Sequence, residues 1–469
     1  MAGRIRPVAD GFFLCGMDVR LPQWGAGQMT FVISSPPCGR RDILLPVMKV
    51  LVIGGGGREH AIAWRLSQSP RVTKLFCAPG NPGTASIAVN VAVAADDVDG
   101  LLAFAQKERI DFTVVGPEIP LVKGVVDLFA KNGLRIFGPT QSAARLEGSK
   151  VFMKEMLVKA GIPTAHYKKF TDAASAIAHL DAAAFPLVIK ADGLAAGKGV
   201  LVTHDKAEAR EFINAAMGKK VFGGSGDTII IEQFLPGEEA SYIVVADGAH
   251  FVPLASAQDH KRVFDGDKGP NTGGMGAYSP APVVTREVDE KIRNKVIAPL
   301  IQTMREEGCP FTGFLYAGIM VSNGEPYVLE FNVRLGDPEA QPLMFRYHGD
   351  LLALLEAAVT GNVTSVTPEW KNDAAVCVVI ASGGYPGDFA KGFPIEGLDA
   401  ETENVVIFHA GTKLEGDKTV TAGGRVLGVT AGGSTIEEAA KRAYARASSI
   451  KFKDMFYRKD IAHRAINRK

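Results

Sequence analysis

From Lys49 to about Gly148, strand-sized apolar runs alternate with stretches of helical period, and that alternation leaves few folds open. KVLVI is followed by a helix from about His60, TKLFCAP by one near Val98 to Lys107, FTVVG by one that runs to Asn132, and LRIFGP closes the series. A parallel strand reaches its neighbour only through a crossover, usually a helix, so the pattern predicts a doubly wound parallel sheet. The chain has 469 residues, about three times the ~150 of one domain, and must hold more than this unit.

Beyond Gly148 the pattern has a different grain. A helix begins near Ser149, FPLVIKADGLAAGKGVLV reads as two strands joined by a glycine loop, a helix covers about Lys206 to Met217, and TIIIEQFL is a strand. SYIVVADGAHFVPL and FLYAGIMVSNGEPYVLEFNV read as hairpins, the second turning at Asn323-Gly324. The polar stretch Val363 to Asp373 marks a boundary. Beyond it come AAVCVVIA, NVVIFHAG and RVLGVTA as strands, then a helix opened by Ser434 with Glu437 three residues on. The expected domains are therefore an α/β unit over 48–148, a mixed α+β unit over 149–370 and a small α+β unit over 371–469.

Residues 1–47 have five Arg, no Lys, no Glu, five Pro and six Gly, with no sustained apolar period, and read as a dispensable leader with Met48 as the start of the folded chain. Hydrophobic residues make up 46% and charged residues 22%, which suits sizeable cores and excludes wholesale disorder. No apolar run reaches the ~18 residues of a membrane span. The net charge of +1 supplies no field for nucleic acid or an anionic membrane, so any anion is bound locally. The final 29 residues carry ten Lys or Arg against two Asp and are read as a solvated helix face. Five dispersed cysteines, without a metal-ligand spacing, fit a reduced cytoplasmic protein.

The glycine loops hold the chemistry. GGGGREH, Gly54 to His60, joins a strand to a helix, where backbone N–H groups can hold an anion. It fails the dinucleotide fingerprint, because Glu59 or His60 stands where a third glycine is required and no acid follows at the right distance. A phosphate or phosphoribosyl group and a tight structural turn both remain open for it. Glu118 follows a buried strand, where it could bind a sugar hydroxyl or simply begin a helix. In KADGLAAGKGV, Lys190 ends an apolar strand and three glycines surround Lys198, which would bring donors to nucleotide phosphates, though Gly199 rules out a Walker loop. The backbone of Glu232 to Leu235 could serve an adenine edge. In LEFNVRLGDPEAQ, period-2 alternation places Glu330, Asn332 and Arg334 on one face and Leu329, Phe331 and Val333 on the other. Two oxygen ligands beside a guanidinium suit a Mg²⁺ phosphate site.

Lys150, Lys190, Glu232 to Glu239, Glu330 and Asn332, in this order, resemble the ATP-grasp ligases. GGGGREHA, DHKRVFDGDKGPNTGGMGAYSP (Asp259 to Pro280) and RLGDPEAQ are similar to one family among them, the phosphoribosylamine-glycine ligases or glycinamide ribonucleotide synthetases. The resemblance runs from Met48 to the C-terminus. It implies an ATP-grasp fold in the middle of the chain, with a mobile lid at about 168–238, and ligation of glycine to 5-phosphoribosylamine through a glycyl phosphate in de novo purine biosynthesis. Lys150, Lys190, Gly197 and Gly199 would meet ATP phosphates, Glu232, Gln233, Phe234 and Leu235 the adenine, and Glu239 the ribose. Glu330 and Asn332 would hold Mg²⁺ or Mn²⁺, and Lys261 and Arg334 would be catalytic. Gly56, Arg58, Glu59 and Glu118 would hold the phosphoribosylamine, and Gly57 and Asp337 would be further substrate-binding residues. The strand GFLYAGIM has no further acid for the metal, unlike many ATP-grasp ligases, so phosphate oxygens and water would complete the shell. A monomer whose only partners are glycine, phosphoribosylamine and ATP is expected. The rival readings are a sister carboxylate-amine ligase or carboxylase, a dinucleotide-dependent oxidoreductase and a non-catalytic nucleotide-binding regulator.

Overall fold

A computed structural model describes residues 47–193, 199–221 and 223–468. The leader expectation for residues 1–46 and the role given to Gly197 therefore lie outside the described residues.

The first sheet has five strands in the order Val89–Asn90, Val72–Pro79, Met48–Gly54, Phe112–Val115 and Ile136–Phe137, every pair parallel. Val50 to Ile53 are wholly buried, as a central strand covered on both faces requires. The helix read as running to Asn132 is two helices, Glu118–Val122 and Val125–Lys131, separated at Gly124, whose φ of 84° only glycine adopts readily. Strands Met48–Gly54 and Phe112–Val115 deliver the glycine loop and Glu118 at their carboxyl ends, the crevice side of an open parallel sheet.

Two antiparallel four-stranded sheets come next along the chain. One has the order Tyr167–Phe170, Ile229–Gln233, Leu187–Ala191 and Val200–Thr203, and packs Ile189, Ile229 and Ile231 against Ala209 and Ile213 of the helix Lys206–Ile213. The other has the order Phe251–Pro253, Glu238–Asp247, Thr312–Ser322 and Glu325–Asn332. Its hairpin turns at Asn323 and Gly324 with φ of 51° and 76°, the pair of left-handed residues that a tight hairpin needs. The alternation read for its last strand is interrupted. Gly318 pairs with Glu330 but Ile319 pairs with Val328, so Leu329 is bulged out, and Val328 takes the buried place expected for Leu329.

The last sheet crosses the expected boundary at 370/371. Its order is Gln258–Asp259, Gly276–Ser279, Ala374–Ala381, Arg425–Gly433 and Val405–His409, so two strands come from the middle of the chain. The helix Ile436–Ala447 that packs on it is capped by Thr435, not Ser434: Thr435 Oγ1 accepts from the N–H of Glu438, whose carboxylate accepts in turn from Ser434 N. The basic C-terminal stretch is a solvated face only in part: Lys441, Lys451, Lys453, Lys459 and Arg468 are exposed, but two of its arginines turn inward. Arg446 is buried and donates to the carbonyls of Gly397 and Leu398, and Arg458 is buried against Asp267 and Asp460. No helix among the described residues is long and apolar enough to cross a membrane.

Candidate active site

Two cavities meet in the middle of the molecule. The smaller, about 550 Å³, lies between the two antiparallel sheets, with Val188, Lys190 and Val202 on one side and Met320, Leu329 and Glu330 on the other. Glu232 to Leu235, which leave one sheet, and Glu239, which enters the other, line it as well. The larger, about 950 Å³, opens toward the carboxyl end of the parallel sheet and takes in Arg58, Glu118, Lys150, Gly199, Asn332, Arg334 and Asp337. Lys261, Glu330, Asp259, Thr272 and Val200 belong to both walls. A molecule in one space thus faces a molecule in the other across Lys261 and Glu330.

In the smaller cavity the side chain of Glu232 is buried between two lysines, 3.1 Å from Lys154 Nζ and 3.0 Å from Lys190 Nζ. Lys190 also donates to Leu329 O at 2.9 Å, a carbonyl that the bulge presents. The carboxylate of Glu232 is therefore spent on cations, and its backbone is what remains for a ligand. Lys154 is fully buried; desolvation, resisted by Glu232, brings its ammonium down to about 8. Sequence reasoning passed over Lys154. The available signal was its place four residues after Lys150 in the helix Lys150–Lys159, on the same face. Lys150 donates to Gly193 O at 2.8 Å, and desolvation lowers its pKa.

At the seam, Lys261 is hydrogen-bonded to Glu239 and stands 3.6 Å from Glu330. Desolvation would raise the Glu330 carboxyl, but Lys261, Lys190 and Lys150 hold it down to about 2, so a full negative charge faces both cavities at neutral pH. Asn332 Oδ1 accepts from Arg334 at 3.1 Å. Arg334 is paired with Glu147 at 2.7 Å and with Glu118 at 3.4 Å, and these carboxylates outweigh desolvation and hold its guanidinium above its usual range. Glu147 was not foreseen; it lies at the end of a helix with no motif to mark it. Asp259 was not foreseen either, and burial pushes its carboxyl up to about 8.

No group of three or more His, Cys, Asp or Glu that could hold a metal occurs among the described residues. An ionised Glu330 beside the Asn332 amide oxygen is two oxygen donors, too few for a protein cage and suited to a divalent ion that draws its other ligands from phosphate and water. The donor set fits a metal carried by a nucleotide.

Of the residues expected to bind substrate around the glycine loop, some line a cavity and others do not. Arg58 and Glu118 do line the larger cavity, 3.8 Å apart, and Glu118 is held ionised against desolvation by Arg58 and Arg334. Gly56, Gly57 and Glu59 lie outside the lining of both cavities. Glu59 is buried and folds back over its own loop, accepting from Gly56 N at 2.7 Å, and an added Cβ at Gly54 or Gly116 would collide with its side chain. These glycines make room for a buried acid, which is the structural-turn reading of the motif. Asp337 reaches the cavity, bound to Arg425 at 3.2 Å and to Gln341 at 2.9 Å, and its carboxyl is lowered because Arg425 and Arg58 outweigh desolvation. Arg425 and the loop Tyr385 to Lys391 close the wall from the far end of the chain, where nothing local pointed to them.

Three family profiles match in sequence: phosphoribosylglycinamide synthetase N domain over residues 48–147, its ATP-grasp (A) domain over 148–340 and its C domain over 375–464. The chain is 54% identical over 426 residues to phosphoribosylamine–glycine ligase of Escherichia coli K12, covering 90% of this chain and 99% of the relative. It is 53% identical over 425 residues to that of Allochromatium vinosum, with the same coverage. Among solved structures, phosphoribosylamine–glycine ligase from Thermotoga maritima superposes with a TM-score of 0.75 at 35% identity, over 88% of this chain and 100% of the other. Biotin carboxylase from Campylobacter jejuni, solved as a β,γ-ATP complex, shares the fold at a TM-score of 0.68 and 14% identity, over 90% and 95% of the two chains.

Proposed function

The chain belongs to the phosphoribosylglycinamide synthetase family, and from that premise we infer how it joins glycine to 5-phosphoribosylamine at the expense of ATP, a step of purine biosynthesis. ATP occupies the smaller cavity, with its adenine edge on the backbone of Glu232 to Leu235, its ribose at Glu239 and its phosphates toward Lys190 and Lys150. Phosphoribosylamine occupies the larger, near Arg58, Glu118 and Asp337. A glycine carboxylate oxygen attacks the γ-phosphorus, the bond to the β-phosphate oxygen breaks, and ADP leaves. The amine nitrogen then attacks the carbonyl carbon of glycyl phosphate, phosphate leaves, and the nitrogen gives up a proton.

Charge gathers on the γ-phosphoryl oxygens in the first step, and cations already fixed in place stabilise it without reorganising. Lys261 and Arg334 are such cations: each is held by carboxylates that fix its position, Lys261 by Glu239 and Arg334 by Glu147. Glu330 and Asn332 would hold Mg²⁺ or Mn²⁺, which supplies further neutralising charge to the phosphate oxygens. A glycyl phosphate made at the seam has its carbonyl open to the larger cavity and needs no transit through water.

The observation that supports this reading is the shared wall of Lys261 and Glu330, across which the two cavities face each other. Three buried thiols without disulfide partners, Cys77, Cys309 and Cys377, support a reducing compartment, the cytoplasm. ADP release measured with glycine and freshly made phosphoribosylamine, omitting each in turn, tests it. Release must need both; full release with either alone, or with another amino acid in place of glycine, would refute the assignment.

A further inference from the structure

Lys261 has no regular element of its own to hold it. It follows the two-residue strand Gln258–Asp259 and precedes a short hairpin, Arg262–Phe264 with Lys268–Asn271. A cation meant to face a reacting phosphoryl group must be placed to within about an ångström. Thr272 ties Lys261 O through its N–H at 2.8 Å and its hydroxyl at 2.9 Å, and Glu239 binds its ammonium, so what remains is to fix the short hairpin that carries Thr272.

The last residues of the chain do so, with bonds on each side of Lys261. Before Lys261, the ring of His260, wholly buried, accepts through Nε2 from Ala462 N at 2.9 Å, and Asp259 O accepts from Arg464 at 3.3 Å. After it, Arg262 O accepts from Arg458 at 3.0 Å. The hairpin is tied again at its turn: Asp267 pairs with Arg458 at 2.9 Å and with Arg464 at 2.8 Å, Gly266 N donates to Asp460 at 2.8 Å, and Lys459 N donates to Asp265 at 2.8 Å. Arg464 also reaches the wall of the smaller cavity. The chain on both sides of Lys261 is thus bonded to a segment about two hundred residues away, by charged groups whose bonds are directional.

We propose that the segment Arg458 to Arg464 is a positioning element for phosphoryl transfer, which holds Lys261 at the seam of the two cavities through the joint of Arg464 with Asp267. It gives two of the C-terminal arginines, Arg458 and Arg464, an internal role. The inference rests on the reading of Lys261 as the cation facing the transferring group, and the test keeps the two apart.

The full chain is assayed for ADP release, with its melting temperature, as Arg464→Ala, Arg464→Lys, Lys261→Met and the double variant Lys261→Met with Arg464→Ala. Arg464→Ala should lower kcat roughly tenfold or more while KM for ATP stays within about twofold and the melting temperature holds. Arg464→Lys, which keeps a cation opposite Asp267, should recover most of the loss. In the Lys261→Met background Arg464→Ala should add nothing, because the group it positions is gone. The proposal is overturned if the two losses multiply, if Arg464→Ala raises KM for ATP at unchanged kcat, which would make Arg464 a nucleotide contact, or if it lowers only the melting temperature. A parent rate in Lys261→Met would instead remove the role of Lys261 itself, and with it the ground of the inference.

Discussion

The ammonium of Lys261 lies 3.6 Å from the carboxylate of Glu330, close enough that each sets the other's charge. A divalent ion that uses Glu330 must share it with this lysine, so its affinity depends strongly on the carboxylate and weakly on the neutral Asn332. Glu330→Ala should lose most of its turnover and demand far more Mg²⁺, while Asn332→Ala should lose less. Turnover measured against Mg²⁺ concentration, with thermal melts as a check on folding, decides it. An unchanged Mg²⁺ dependence in Glu330→Ala would remove this residue from the metal site.

Lys154 and Glu232 make a second close pair, with Lys154 wholly buried. Breaking a buried pair from one side leaves an uncompensated charge, here softened because Lys190 still faces Glu232. Lys154→Met should cost on the order of 2–4 kcal/mol in urea unfolding. The double variant Lys154→Met with Glu232→Gln should regain part of that stability and still bind ATP poorly. If Lys154→Met unfolds at the parent midpoint, the pair is not holding this wall together.

Two buried histidines, His60 and His260, and the half-buried His409 predict acid lability. Burial lowers His60 to about 3, helped by His409, and lowers His409 and His260 to about 4. His60 Nδ1 accepts from His409 N at 2.9 Å, an acceptor that protonation destroys. In the unfolded chain each ring takes up its proton near pH 6.5, whereas in the folded chain His409 and His260 wait until near pH 4 and His60 until near pH 3. The unfolded state therefore binds more protons in that window, and the stability present above pH 6.5 is lost as pH falls toward 4. Each ring contributes up to about 1.4 kcal/mol per pH unit. The slope of unfolding free energy between these limits should drop by one proton in His60→Asn, whose amide oxygen can replace the ring acceptor. A slope indifferent to that change would contradict the assignment.

The glycine loop makes its own prediction. A Cβ added to Gly55 would stand 2.6 Å from the carbonyl oxygen of Gly80, which is backbone and cannot swing aside. Gly55→Ala should destabilise by about 1–3 kcal/mol through this overlap. Melting and phosphoribosylamine binding would be followed together. Loss of phosphoribosylamine binding at an unchanged melting temperature would mean that the loop holds a ligand after all.

The parallel sheet was legible because its central strands are buried on both faces and so read as unbroken apolar runs, as Val50 to Ile53 do. Glu330, Asn332 and Arg334 were legible because polar residues at every second position of an otherwise apolar strand share a face. Leu329 was misplaced because a bulge adds one residue to the count, and nothing in the composition of the strand announces it. The role of the loop around Glu59 stayed open because a glycine-rich turn looks the same whether it closes on an anion or on an acid of its own chain, and Glu59 does accept from Gly56 N within that turn. Glu147 meets Arg334 across 187 residues, and Arg425 meets Asp337 across 88, distances at which one sequence carries no pairing signal.

The sheet that joins Gly276–Ser279 to Ala374–Ala381 has a consequence for how the chain comes into being. Gly276 pairs with Val378, so the earlier strand leaves the ribosome about a hundred residues before its partner exists, a wait of roughly 5–20 s at ordinary rates of synthesis. During that time its edge has no neighbour on that side and the hairpin after Lys261 lacks its bonds to Arg458 and Arg464. Residues 371–469 made alone would in turn present Ala374–Ala381, buried along its whole length in the complete chain, as an open apolar edge. The wall shared by the two cavities and the C-terminal sheet thus mature in a single late event, and cutting the chain between them yields two incomplete halves.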